Sequence, residues 1–236
     1  MKKEINLPDP GLYIRPVAHI RTDFAEKFGI PRQSGVVPEL KAVVEFEPAF
    51  RDPDVVRGLE EFSHIWLIWI FSANLQHDWS ATVRPPRLGG NERKGVFATR
   101  SPFRPNPLGL SSVKLDSIVI DEKRGPLLYV SGVDLMDRTP IVDIKPYIPV
   151  GDCHVDAAQG FTRHNSNHLL QIQFPQELLT MVPEDKRTAL FGVLKQDPRP
   201  AYQDDADREY GIAFAGLNVR FKVSDQVLAV TSVTPL

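Results

Sequence analysis

Cysteine is almost missing from this chain: Cys153 is the only one in 236 residues. A single thiol closes no internal disulfide and has no Cys or His partner at metal-ligand spacing. That excludes a disulfide framework and a zinc ribbon and favours a reducing compartment. The six histidines form no HExxH or HxE pattern, so no metal is expected. Long apolar runs are missing too. The longest, Ile65 to Phe71, falls far short of the ~20 residues of a membrane span, and the opening Met-Lys-Lys-Glu-Ile-Asn-Leu-Pro lacks the apolar stretch of a signal peptide. No membrane partner is expected, and the cytoplasm is the expected location. Nor is there an excess of one charge. The 28 basic and 30 acidic side chains leave −2, which argues against coating nucleic acid through bulk electrostatics and leaves room for a local basic patch. GxGxxG, GxxxxGKS/T and GxSxG are absent, so a Rossmann nucleotide site, an ATPase and an α/β-hydrolase lack support.

What the chain has in excess is proline, 21 residues, nearly twice the usual share of about 5%. Helices are shortened and turns multiplied, so the expected class is mainly β, α+β overall. Leu40, Ala42, Val44 and Phe46 alternate with Lys41, Val43, Glu45 and Glu47, the period of a half-buried strand. Ile65 to Phe71 is apolar on both parities and reads as a central strand covered on both sides. Further strands are expected at 96–99, 112–120, 127–133 and 141–144. One short helix is expected from Asp52 as N-cap and Pro53 at the first helical position, with Val55, Val56, Leu59 and Phe62 inward. After Gly151 the chain turns polar. The expected division is therefore a first domain over residues 1–155 and a small α+β C-terminal domain over 156–236. The second has a strand at 169–174 and a helix starting at Pro183-Glu184-Asp185 that turns Leu190, Phe191 and Leu194 inward. Strands over 217–223 and 227–233 complete it.

Chemistry concentrates in two stretches. From Arg84 to Arg104 stand Arg84, Arg87, Arg93, Lys94, Arg100 and Arg104 against Glu92 alone, with three prolines and Gly89, Gly90 and Gly95 between them, and Pro105, Pro107 and Gly109 follow directly. A stiff basic loop suits phosphate or RNA backbone, and equally a solvated surface. Asp197-Pro198-Arg199-Pro200-Ala201-Tyr202 sets a carboxylate, a guanidinium and an aromatic ring on a rigid segment, which are ingredients for handling a base. The same run also reads as a helix stop followed by a core tyrosine. Asp134 and Asp137 end an expected strand; carboxylates there accept hydroxyls, balance a cation, or simply cap turns.

Arg100-Ser101-Pro102-Phe103-Arg104-Pro105-Asn106-Pro107-Leu108-Gly109-Leu110 carries a specific resemblance. So do Pro31-Arg32-Gln33, Val56–Glu60, Val83–Asn91, Gly95–Ser101, Thr139–Tyr147 and Asp197–Tyr202, in the same order. The sequence resembles, over essentially its whole length, the TrmO (YaeB/TsaA-like) family of bacterial tRNA methyltransferases. The resemblance implies a single-sheeted, antiparallel barrel-like β domain in place of a Rossmann sheet, followed by a smaller C-terminal domain. It implies S-adenosylmethionine as cofactor, methylation of N6 of N6-threonylcarbamoyladenosine (t6A) at position 37 of threonine tRNA to give m6t6A, and a homodimer. Carried over residue by residue, the cofactor contacts fall on Pro31, Arg32, Gln33, Ser72, Ala73, Arg100, Leu110, Asp134, Leu135, Met136 and Asp137. One pair departs from the pattern, since Ser72-Ala73 stands where family members often carry His-Gln.

Methyl transfer to N6 requires its proton to leave, and a positioned acceptor helps. Asp197 and Asp137 are the candidates, with Tyr202 stacking on the purine. Arg84, Arg87, Arg93, Lys94, Arg104, Arg199 and Tyr202 are the expected tRNA contacts. Two other readings stand beside this one: a methyltransferase of the same fold with a small-molecule acceptor, and a non-catalytic tRNA-binding module.

Overall fold

A computed structural model of the chain describes residues 13–75, 78–85, 92–164, 169–199 and 205–236. Alternating apolar residues build its first sheet. β1 (Ala18–Arg21) buries Ala18 and Ile20, and β2 (Lys41–Phe46) buries Ala42, Val44 and Phe46. β3 (His64–Ile70) buries Ile65 and Leu67. A small hairpin of β4 (Thr82–Val83) and β5 (Lys94–Gly95) precedes β6 (Leu108–Asp121), β7 (Gly125–Ser131) and β8 (Pro140–Pro146). Six strands pair antiparallel in the order β1-β2-β7-β6-β3-β8, and β8 returns to β1. Closure satisfies every edge and leaves the inward side chains to fill the interior.

Several expectations change here. β3 is covered on its inner face only: outside, Trp66 and Ile68 stay half-buried. There the Tyr147 ring rests on Trp66 at 5.5 Å, and the indole N–H donates to Asp152 at 3.0 Å. In place of one helix after Asp52 stand two 3-10 turns, Pro53–Val56 and Leu59–Glu61, because Gly58 between them takes a left-handed φ of 83°. Asp52 does cap the first, accepting from the Asp54 N–H at 2.9 Å. The expected strand at 96–99 is a 3-10 turn, Val96–Ala98, anchored by one buried side chain, Val96. β1 escaped sequence reading because four residues are too few to show a period.

The C-terminal region begins after α1 (Pro149–Asp152) and a 3-10 turn, Gly160–His164. Its sheet runs β10 (Tyr210–Phe214), β11 (Leu217–Ser224), β12 (Val227–Pro235), then β9 (Gln171–Gln173) parallel to β12. α2 (Gln176–Leu179) leads to α3 (Glu184–Lys195). Acidic residues in the first turn of α3 and Lys195 in its last suit the helix dipole. α3 buries Ala189, Leu190, Val193 and Leu194; Phe191, expected inward, is half-buried against the Phe174 ring at 5.5 Å.

The two sheets share one apolar core, and the loop 22–40 is the joint between them. Phe24 meets Phe214 edge-on at 5.4 Å, the Ala215 N–H donates to the Asp23 carbonyl at 2.9 Å, and Lys186 pairs with the Asp23 carboxylate at 2.7 Å. Gly192 of α3 lies so close to Val37 that a Cβ there would sit 2.5 Å from a valine methyl. The C-terminal region thereby fixes the loop that carries Pro31, Arg32 and Gln33.

Candidate functional site

Three loops leave the same end of the barrel: 22–40 after β1, 71–107 after β3, and 132–139 after β7. Between them lies a cleft of about 590 Å³, a size suited to a small ligand. Its lining includes Pro31, Arg32, Gln33, Ser72, Ala73, Arg100, Leu110, Asp134, Leu135 and Met136. Residues expected to act together from five separate stretches of sequence therefore meet on one surface. Two contacts tie the stretches directly. The Arg100 guanidinium donates to Gln33 Oε1 at 2.6 Å, and Lys27 donates to the Ala73 carbonyl at 3.1 Å and to Asn74 Oδ1 at 2.6 Å. The second fixes the Ser72–Asn74 turn.

Asp134 sits at the floor. Ser111 donates its hydroxyl to Asp134 Oδ1 at 2.7 Å, and the Trp69 indole N–H donates to Ser111 Oγ at 3.0 Å. An indole N–H only donates, so it occupies the acceptor side of Ser111 and leaves the serine proton for Asp134. Burial pushes the Asp134 carboxyl above the usual carboxylate range. The Ser111 hydroxyl, the backbone N–H groups of Asp134 and Ser34, and the Arg100 guanidinium pull it back only in part. Trp69 lies flat over Gly109, its partner in the β3–β6 register, and Phe71 meets it edge-on at 4.3 Å. Trp69 and Ser111 were not among the residues singled out from sequence, and Gly109 stood there only as a member of the 100–110 motif. The available signal was Ser111 itself, a buried hydroxyl on the inward parity shared with Val113 and Leu115.

Asp137 is placed elsewhere. Its carboxylate accepts from the Thr22 N–H at 3.1 Å and faces Arg21 at 3.6 Å, tying the 132–139 loop to β1. Asp197 ends α3 in the left-handed region, φ 49°, and the Arg199 guanidinium donates to both its oxygens at 2.9 Å. Arg199 is buried, so its charge is turned inward and not toward a phosphate. The Arg199 carbonyl accepts from Arg32 at 3.4 Å, which sets this segment on the rim of the cleft.

The basic stretch divides. Arg104 lines the cleft and donates to the Thr99 carbonyl at 3.2 Å. Arg84 and Arg93 are exposed, Arg93 donating to Thr82 Oγ1 at 2.8 Å. Lys94 pairs with Glu92 and lies 5.9 Å from the Phe161 ring centre. Arg87 and Tyr202 lie outside the described residues.

A closed antiparallel barrel whose loops at one end enclose a cleft, floored by one half-buried carboxylate and rimmed by arginines, defines a barrel-type ligand-binding protein outside the Rossmann class. Family models narrow this: that of the tRNA-methyltransferase O N-terminal domain matches residues 19–153, and that of the TrmO C-terminal domain matches 167–236. The chain belongs to the tRNA-methyltransferase O family. It is 40% identical over 224 residues to the tRNA (adenine(37)-N6)-methyltransferase of Escherichia coli (strain K12), covering 92% of this chain and 95% of that one. A Pseudomonas aeruginosa relative, 37% identical over 216 residues and spanning 88% of this chain and 91% of its own, bears the provisional name of an S-adenosylmethionine-dependent methyltransferase, RcsF. The crystal structure of TrmO from P. aeruginosa superposes with a TM-score of 0.77 at 30% identity, covering 99% of this chain and all of that one.

Proposed function

We propose that the protein transfers a methyl group from S-adenosylmethionine to N6 of t6A at position 37 of threonine tRNA, giving m6t6A. Its class is that of an S-adenosylmethionine-dependent tRNA N6-methyltransferase. The observation that carries the reading is the convergence of Pro31–Gln33, Arg100 and Asp134–Met136 on one cleft with a half-buried carboxylate at its floor.

The residues fit the cofactor. S-adenosylmethionine presents cationic, anionic and purine parts. Asp134 offers a half-buried negative charge to a cation, Arg32 and Arg100 offer guanidinium groups to a carboxylate, and Trp69, Phe71 and Leu108 offer apolar surface to a purine. When bound, S-adenosylmethionine supplies a methyl group on a positively charged sulfur. The protein's part is to hold donor and acceptor in line, which lowers the barrier by removing the entropy of encounter, and to keep the cleft dry enough that Asp134 acts at full strength. Asp137 and Asp197 serve this as positioning residues: one ties the 132–139 loop to β1, the other braces the 197–199 segment against Arg32. Tyr202 keeps its expected role as a stacking partner for the purine. Arg84, Arg93, Lys94 and Arg104 are the basic groups available to tRNA phosphates, with Arg87 in the same run.

In this division of labour residues 1–155 bind the cofactor and 156–236 present the acceptor, in the cytoplasm. No helix among the described residues is long and apolar enough to cross a membrane. The resemblance to the family implies that two copies pair. Sedimentation should then give twice the chain mass, and a monomer at micromolar concentration would refute the pairing.

Nucleoside mass spectrometry of tRNA from cells with and without the gene tests the reaction. Deletion should remove the methylated form of t6A, and the wild-type gene should restore it. An unchanged nucleoside profile would refute tRNA methylation and direct attention to a small-molecule acceptor.

A further inference from the structure

A second groove, about 1360 Å³, opens from the cofactor cleft and runs between residues 80–85 and 97–103 on one side and the turn Gly160–His164 on the other. The two share Arg32, Gln33, Thr99, Arg100 and Pro102, so a ligand leaving one enters the other. The described residues lining the groove include three phenylalanines, Phe97, Phe103 and Phe161, and three arginines, Arg32, Arg84 and Arg100, with no carboxylate among them. Phe97 is 76% exposed although its neighbour Val96 is 2% exposed. The turn is thus anchored from within and holds an aromatic face in solvent. Single exposed apolar residues are ordinary; a phenylalanine held out from a rigid turn, flanked by two more and by unbalanced positive charge, is not. Arg84 is exposed and has no hydrogen bond or ion pair with any described residue, which leaves its guanidinium for a ligand.

We propose that this groove is a binding site for single-stranded RNA, in which Phe97 stacks on a base adjacent to the one in the cleft and Arg84 takes a phosphate. Aromatic faces interleaved with cations suit a strand whose bases are unpaired, because every base offers a π-face and every nucleotide a charge. A duplex keeps its base faces buried in its own stack and has nothing to give Phe97. Continuity with the cleft makes the groove the path of the strand on one side of the modified nucleotide. That the strand is RNA rests on the function proposed above.

The test uses the full-length protein and fluorescence anisotropy. Its ligands are a labelled seven-nucleotide RNA of mixed sequence and a fully paired RNA hairpin of similar length. The variants are Phe97→Ala, Phe97→Trp and Arg84→Gln. Phe97→Ala should weaken the single strand about tenfold without changing the slope of affinity against salt, and Phe97→Trp should restore the affinity. Arg84→Gln should lower that slope by about 0.7. Calorimetry should show S-adenosylmethionine binding unchanged in all three, which separates loss of stacking from loss of fold. Wild-type affinity in Phe97→Ala, or equal loss in Phe97→Trp, would overturn the groove while leaving tRNA methylation standing. A wild-type protein that binds S-adenosylmethionine and neither the single strand nor tRNA would overturn both.

Discussion

Asp134→Asn should bind S-adenosylmethionine roughly 10- to 100-fold more weakly than wild type and yet melt at a higher temperature at neutral pH. The first effect follows from removing a half-buried charge that would face the cofactor's cation, since a hydrogen bond to a charged group is worth about 1.5–3 kcal/mol. The second follows from linkage. Burial raises the Asp134 carboxyl in the folded state, so the fold favours the protonated form. The stability this group contributes is fully present below the ordinary carboxylate value of about 3.9 and is lost as pH rises through the raised folded value. At neutral pH the ionised Asp134 costs stability, and asparagine, which still accepts from Ser111, removes that cost. The melting difference between variant and wild type should therefore shrink as the pH falls toward 4. Cofactor affinity of the wild type should rise with pH across the same range, because only the carboxylate attracts a cation. Calorimetric titration and thermal scans over pH check both. Unaltered cofactor affinity in Asp134→Asn would remove this residue from the cation. The demethylated product, which lacks the sulfonium, distinguishes the two cationic groups: a loss confined to S-adenosylmethionine places Asp134 at the sulfur, and an equal loss for both ligands places it at the ammonium.

Gly109→Ala should be the most damaging small substitution at the site. A Cβ at 109 would stand 2.3 Å from Trp69 Cε2 and 2.4 Å from Cζ2, well inside van der Waals contact. The obstacle is lack of space, not backbone strain. Its indole ring cannot yield without giving up the hydrogen bond to Ser111, and with it the orientation of the Asp134 partner. Overpacking of this kind costs about 1–3 kcal/mol. Urea unfolding should show that loss, and cofactor binding, measured where the variant is still folded, should fall as well. Trp69→Leu removes the offending ring. Added to Gly109→Ala it should recover stability but not cofactor affinity, a non-additive result expected of side chains in contact. Full binding in Gly109→Ala would show that Trp69 has no part in holding Asp134.

Much of the molecule was legible in its order of residues. Alternation gave β2, β11 and β12 almost to the residue, and Pro183-Glu184-Asp185 marked the start of α3. Reading was poorest where local preference and tertiary context disagree. Val96 and Phe97 favour a strand, yet only Val96 has a core to enter, and the four-residue stretch folds as a turn. Ile65 to Phe71 looked doubly covered because its apolar run says nothing of what lies on each face. The family motifs named Pro31–Gln33, Ser72-Ala73, Arg100 and Asp134–Met136, and all of them line one cleft, while Asp137 does not.

By itself, then, the sequence determined the mainly β class, the departure from a Rossmann sheet, the strand periods and the basic, proline-stiffened loop. These are properties of neighbouring residues and survive in a list. The tertiary structure alone decided which distant side chains meet. Trp69 and Ser111 are 42 positions apart and Ser111 and Asp134 are 23. They form one hydrogen-bonded chain because barrel closure sets β3 beside β6 in a register that places Trp69 opposite Gly109. It also decided that Asp197 spends both its oxygens on Arg199, and that Phe97 stands in solvent beside three arginines. Strand register, burial and the dielectric of a closed site are cooperative outcomes of packing, and no single stretch of the chain carries them.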